Sequence, residues 1–120
     1  MQAGPSQRQL RVGELIKRVL GELLMRGDLH EEPCLTRGAV MISEVRPSPD
    51  LRHAQVFVAS HGDDATREAV EALSRLRHQL KGKVARSVHL KFATELHFVA
   101  DSTFAEADRI TQLLNPRGRS

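Results

Sequence analysis

The chain has 120 residues and a mass of 13.4 kDa, with 40% hydrophobic, 28% charged and 3% aromatic side chains. That is enough for one small domain with a modest core, and it excludes two independent cores or a large internal cofactor chamber. Eighteen Lys and Arg against fifteen Asp and Glu give a net charge of +3, which permits an anionic partner without requiring one.

A single cysteine, Cys34, excludes an internal disulfide framework and a thiolate metal cluster within the chain. No apolar stretch exceeds four residues, and segment 2–11 is polar where a secretory signal would be apolar, so a cytoplasmic protein with no membrane partner is expected. There is no Trp or Tyr, and Phe occurs only at 57, 92, 98 and 104, which leaves few rings for stacking on bases. Nucleic acid, if bound, is held through phosphates and shape.

Residues 1–5 are expected to be a flexible start. A first helix is predicted from Ser6, whose hydroxyl can cap the next turn while Gln9 supplies the reciprocal group of a capping box. Val12, Leu15, Ile16, Val19, Leu20, Leu23 and Leu24 recur with the helical period, and Gly27-Asp28 supplies a stop. Segment 29–38 carries acidic residues and Pro33 and reads as a connection.

A strand begins near Ala39, with Val40 and Ile42 alternating against Met41 and Ser43, and runs to Val45 before Arg46-Pro47-Ser48-Pro49-Asp50 breaks it. A second, antiparallel strand follows over 53–59, with Ala54, Val56 and Val58 on one face and a broad loop between the two. Asp63 or Asp64 is expected to cap the next helix, whose stripe runs Ala65, Ala69, Ala72, Leu73, Leu76, Leu80, Val84 and Val88. Gly82 opposes one straight helix by about 1 kcal/mol relative to Ala, so a bend or two short helices is expected. Leu90, Phe92, Leu96 and Phe98 suggest a last strand with an irregularity at Ala93-Thr94. Thr103 and Glu106 open a short helix through Phe104, Ala107, Ile110 and Leu114, closed by Asn115-Pro116 and followed by a flexible tail over 115–120. The expected class is α+β, helices covering a three-stranded sheet, in one domain over 6–114.

Chemistry-bearing patterns are few. Segment 74–91 holds Arg75, Arg77, Lys81, Lys83, Arg86 and Lys91 with no acidic residue between them, a local attractor for phosphate; a solvated helix face is the plainer alternative. Arg8 and Arg11 stand at the entrance to the first helix. Arg18 and Arg26 are ranked below them, because Glu14 and Glu22, four residues earlier, can pair with them. Arg46 and Arg52 flank the rigid Pro47-Ser48-Pro49 turn.

The histidines lack metal-ligand spacing: His30 and Cys34 have only Glu31 and Glu32 nearby, and Phe92 and the irregular spacing argue against a site from His89, His97 and Glu95. Cys34 and Ser43 have no base in reach along the sequence, and no Walker or dinucleotide glycine spacing occurs. Neither catalysis, a metal nor a cofactor is expected. A protein-only module recognising an acidic partner is the alternative to RNA binding, and a continuous apolar outer face of the sheet would favour it.

The chain closely resembles the ribosome-binding factor A family from Pro5 into the terminal helix. The resemblance is carried by Pro5-Ser6-Gln7-Arg8-Gln9-Leu10-Arg11-Val12-Gly13-Glu14, by Ser43-Glu44-Val45-Arg46-Pro47-Ser48-Pro49-Asp50-Leu51-Arg52-His53-Ala54, and by Gln55-Val56-Phe57-Val58. It implies a KH-like fold and a non-enzymatic factor of the cytoplasm. Such a factor associates with the immature small (30S) ribosomal subunit, promotes maturation of its 16S rRNA and matters for growth in the cold. Ribosomal proteins are further expected contacts, and the free protein is expected to be a monomer.

By the same resemblance Arg8, Arg11, Arg46, Arg52, Lys81 and Arg86 are RNA contacts, joined by Arg75, Arg77 and Lys83 from charge placement. Two departures stand out. Leu76-Arg77-His78 occupies the place of an Ala-x-Gly kink, and Ala93-Thr94-Glu95-Leu96 that of a Pro-Glu-Leu pattern.

Overall fold

The structure is a computed structural model that describes residues 4–36, 39–91 and 93–101. The expected terminal helix and tail, together with Phe92 and Phe104, lie outside the described residues. Helix α1 (Gln7–Arg26) starts on a complete capping box: Gln9 N–H donates to Ser6 Oγ at 3.1 Å, and Ser6 N–H donates to Gln9 Oε1 at 2.8 Å. It ends at Gly27, whose φ of 69° is open to a residue without Cβ and lets its N–H reach back to the last turn. Val12, Ile16, Leu20, Leu23 and Leu24 are buried, as their period requires. The connection after α1 contains a 3-10 turn (Pro33–Leu35) and buries Leu29 and Leu35 in the core.

Strand β1 (Met41–Pro47) pairs antiparallel with β2 (His53–Ala59), and Arg46 and Pro47 belong to the strand rather than ending it. Pro47 is tolerated because β1 is an edge strand, where one missing donor costs no ladder bond inside the sheet. The simple alternation expected for β1 also fails. The register shifts between Ile42 and Glu44, so Ile42 and Val45, three positions apart, both point into the core. The extra residue, Ser43, donates from its hydroxyl to Phe57 O at 3.3 Å and to the Asp101 carboxylate.

The loop between β1 and β2 is broad, as expected. Ser48 Oγ accepts from His53 N–H at 3.1 Å and donates to Asp50 at 2.7 Å, and Leu51 adopts a left-handed φ of 63°. Thr94, buried to 1% exposure, donates to Leu51 O at 2.8 Å and fastens the loop to the entry of the last strand.

Helix α2 (Asp63–Arg75) is not capped by an aspartate. Gly62 holds the cap position, Asp63 and Asp64 fall in the first turn beside the positive end of the helix dipole, and Thr66 does the fastening. Thr66 Oγ1 accepts from Ser60 N–H at 3.1 Å and donates to Gly62 O at 2.8 Å. The bend falls at Leu76, not Gly82. There φ −96° and ψ 8° separate α2 from α3 (Arg77–Val88), and the Leu76 N–H bonds to Leu73 O in a tightened turn. Gly82 lies inside α3. Ala69, Ala72, Leu73, Leu76, Leu80 and Val84 are buried, so the apolar stripe continues across the break.

Strand β3 (Glu95–Ala100) begins later than its apolar pattern suggests: Leu90 precedes it, outside the strand. It runs parallel to β2, giving a mixed sheet in the order β1-β2-β3. Helix α1 packs on β1 and α3, α2 on β2 and β3, and α3 on β3. Ala54, Val56 and Val58 of β2 and Leu96 and Phe98 of β3 meet the helices in one core. The opposite face carries Glu44, Arg46, His53, Gln55, Glu95 and His97 among Met41, Phe57 and Val99, so it is not a continuous apolar surface. Among the described residues no helix is long and apolar enough to cross a membrane.

Candidate nucleic-acid interface

The first group of basic residues is gathered by packing between α1 and β1. Gly13 allows the close approach, since a Cβ there would stand 2.7 Å from Val45 O, and Gln9 Nε2 donates to Pro47 O at 3.0 Å. The first turns of α1 are thereby held beside the β1–β2 loop, placing exposed Arg8 and Arg11 at the end of the domain that also carries Arg46 and Arg52.

Arg46 is already engaged. Its guanidinium donates to Glu44 at 2.8 and 3.2 Å and sits 4.8 Å above the Phe57 ring, and the carboxylate raises its affinity for protons. Asp50 accepts from the Ser48 hydroxyl and the Arg52 N–H, which hold its carboxyl below the usual range and set the loop from which Arg52 projects.

The basic segment of α2 and α3 is continuous in sequence but divided in space. Arg75 donates to both oxygens of Glu32 at 2.8 Å, an ion pair whose Glu32 side chain is only 16% exposed. The guanidinium pulls the Glu32 carboxyl below its ordinary range, and Arg75 is held protonated in return. Lys81 pairs with Glu95 of β3 and depresses that carboxyl in the same way. Arg77 donates to Ser74 O at 3.4 Å and borders a cavity of about 380 Å³ with Ser74 and residues 95–98. Lys83 and Arg86 line a different cleft, toward α1.

Sequence reasoning missed these partners because no acid stands within the basic segment; Glu32 comes from 43 residues away and Glu95 from β3. It also missed the pairing of His53 with His97. Their rings stack at 5.2 Å, with His53 Nδ1 3.0 Å from His97 Nε2, one nitrogen donating and the other accepting. Among the described residues no group of three or more His, Cys, Asp or Glu is arranged to hold a metal ion.

The family model described as ribosome-binding factor A matches residues 8–114. The chain belongs to the ribosome-binding factor A family. Ribosome-binding factor A of Methylobacterium sp. (strain 4-46) is 50% identical over 112 residues, covering 93% of this chain and 80% of that protein. That of Dinoroseobacter shibae is 46% identical over 113 residues, 94% and 83% of the two chains.

Solved structures are similar as well. The crystal structure of ribosome-binding factor A from Thermus thermophilus has a TM-score of 0.63 at 26% identity, covering 77% of this chain and 94% of its own. A Thermus thermophilus ribosome binding factor A fitted into the cryo-EM map of a 30S complex has a TM-score of 0.56 at 26% identity, covering 72% and 88%. The fold of ribosome-binding factor A is KH-like, and the three helices and mixed three-stranded sheet found here conform to it. The break at Leu76 occupies the position at which the family resemblance places a kink.

Proposed function

We propose that the protein is a non-enzymatic assembly factor of the cytoplasm that binds the immature small ribosomal subunit through its 16S rRNA and promotes late maturation of that RNA. Membership of the ribosome-binding factor A family carries this reading, and the relative fitted into a 30S complex supports the choice of partner. The distribution of cations supports RNA as the contacted component. Arg8, Arg11, Lys83 and Arg86 form no ion pair with a described residue, so their charge is available to phosphate, and residues 6–114 act as one RNA-binding domain. Arg46, Arg52, Arg75, Arg77 and Lys81 contribute from positions held by the surrounding structure. Binding acts on rRNA by favouring one arrangement over another, since a ligand biases two conformations only through its difference in affinity for them.

The test is sedimentation of the protein with purified mature and immature small subunits across a series of salt concentrations. Preferential association with immature particles is expected, with affinity falling as a power of the salt concentration. No association with either particle by folded protein refutes the reading and favours an acidic protein partner.

A further inference from the structure

Between the C-terminal halves of α1 and α3 lies a cleft of about 550 Å³ with Arg18 and Arg26 on one wall and Lys83 and Arg86 on the other. Two carboxylates share it, and both turn to one cation: Glu22 and Asp28 each stand 3.9 Å from the Arg26 guanidinium. Arg18 makes no ion pair with Glu14 four residues before it, contrary to the expectation from spacing. Arg18, Lys83 and Arg86 therefore converge on the cleft without a carboxylate partner among the described residues.

Helix dipoles explain only part of this charge. Arg26 and Arg86 lie in the last turns of their helices, where a cation is favoured, but that effect fades within one turn, and Arg18 and Lys83 stand farther back. Three like charges facing one opening repel one another until an anion enters. Ser87 adds a hydroxyl to the lining, and Val19 and Leu23 add apolar surface. Cations beside apolar side chains suit a sugar-phosphate chain better than a small, fully hydrated anion.

We infer that the cleft between α1 and α3 binds a phosphodiester segment of RNA, with Arg18, Lys83 and Arg86 as its phosphate ligands. The inference rests on the proposed RNA-binding function and adds to it a site and a residue, Arg18, that sequence reasoning ranked low.

The test measures binding of the full chain and its variants to immature small subunits and to protein-free 16S rRNA over a salt series. Losing one phosphate contact forfeits the release of about one counterion, which at 0.15 M salt is about fivefold in affinity and close to one unit in the salt slope. Arg18→Gln is expected to show that loss on both targets, Arg18→Lys to retain most of the binding, and Arg18→Gln/Lys83→Gln/Arg86→Gln to weaken binding by about 100-fold. Arg67→Gln, which removes an exposed arginine on α2 paired with Asp64, should bind like the unaltered protein.

None of the three cleft cations is buried, so circular dichroism of each variant should match the parent. If Arg18→Gln and the triple variant bind with the affinity and slope of Arg67→Gln, the site is overturned while the proposed function stands. Loss of subunit binding with unaltered binding to protein-free rRNA assigns the cleft to a protein partner and overturns the RNA site. If the unaltered protein binds neither target, both the site and the function beneath it fall.

Discussion

Replacing Gly13 by alanine should destabilise the domain, although alanine is the better helix former. In the middle of α1 the exchange favours the helix by about 1 kcal/mol on propensity alone. A steric clash opposes that gain and outweighs it. The new Cβ would lie 2.7 Å from Val45 O and 3.1 Å from Pro47 Cδ, the first of these a backbone atom that cannot rotate away.

Relief requires α1 to lift from β1, yet Ile16 and Leu20, one and two turns on, are buried to 0% and 2% exposure and hold the helix down. Overpacking costs about 1–3 kcal/mol, and a clash with a fixed backbone atom falls in the upper part of that range, about 2–3 kcal/mol, leaving a net loss of about 1–2 kcal/mol. Gly21, in the same helix, meets nothing within 4 Å, so Gly21→Ala should gain about 0.5–1 kcal/mol. The same substitution two turns apart thus acts with opposite sign. Thermal unfolding of the two variants should separate their midpoints by about 6 °C or more on the scale of small domains, and urea unfolding should rank them in the same order. Equal or raised stability for Gly13→Ala would refute the close approach of α1 to β1.

Two further outcomes follow from buried and paired groups. Thr94→Val keeps the volume but removes the hydroxyl that donates to Leu51 O, and should lower stability by about 1–2 kcal/mol in thermal unfolding; an unchanged midpoint would mean that the loop does not depend on this bond. Glu32 and Glu95 titrate below their ordinary value of 4.5 in the folded protein, so their stabilisation is complete above that value and is lost as the pH falls beneath it. Urea midpoints of Glu32→Gln should accordingly fall less steeply than those of the parent between about pH 5 and pH 3, and parallel curves would count against the Arg75 pairing.

Local rules made much of the fold legible. The Ser6 and Gln9 capping box, the stop at Gly27, the apolar period of α1 and the inward alternation of Ala54, Val56 and Val58 depend on residues a few positions apart. Positions whose state depends on distant chain were not legible. The β1 bulge at Ser43 answers to Phe57 and Asp101, Pro47 is admissible only because β1 forms an edge, and Thr66 replaces the aspartates because Ser60 is turned toward it.

The candidate site divides in the same way. A run of positive charge is visible by inspection, but which cations are neutralised depends on Glu32 and Glu95 arriving from elsewhere. Arg18 could be ranked only once α1 and α3 had been placed side by side. Spacing suggested a Glu14 partner for it; no such ion pair forms, and Arg18 lines the cleft that Lys83 and Arg86 also line.

The parallel pairing of β3 with β2 also fixes when the domain can be completed during synthesis. β1 and β2 are neighbours along the chain and can join across their short loop, and α1 precedes both. The central strand, however, gains its second partner only after both α2 and α3 have been made, because Val56 must wait for Phe98. Until residues 95–100 emerge, one edge of β2 lacks its ladder, Thr94 cannot fasten Leu51, and Leu96 and Phe98 are missing from the core. The nascent chain therefore carries an unsealed sheet from the completion of β2 until residues 95–100 follow, and its last described strand acts as the closure.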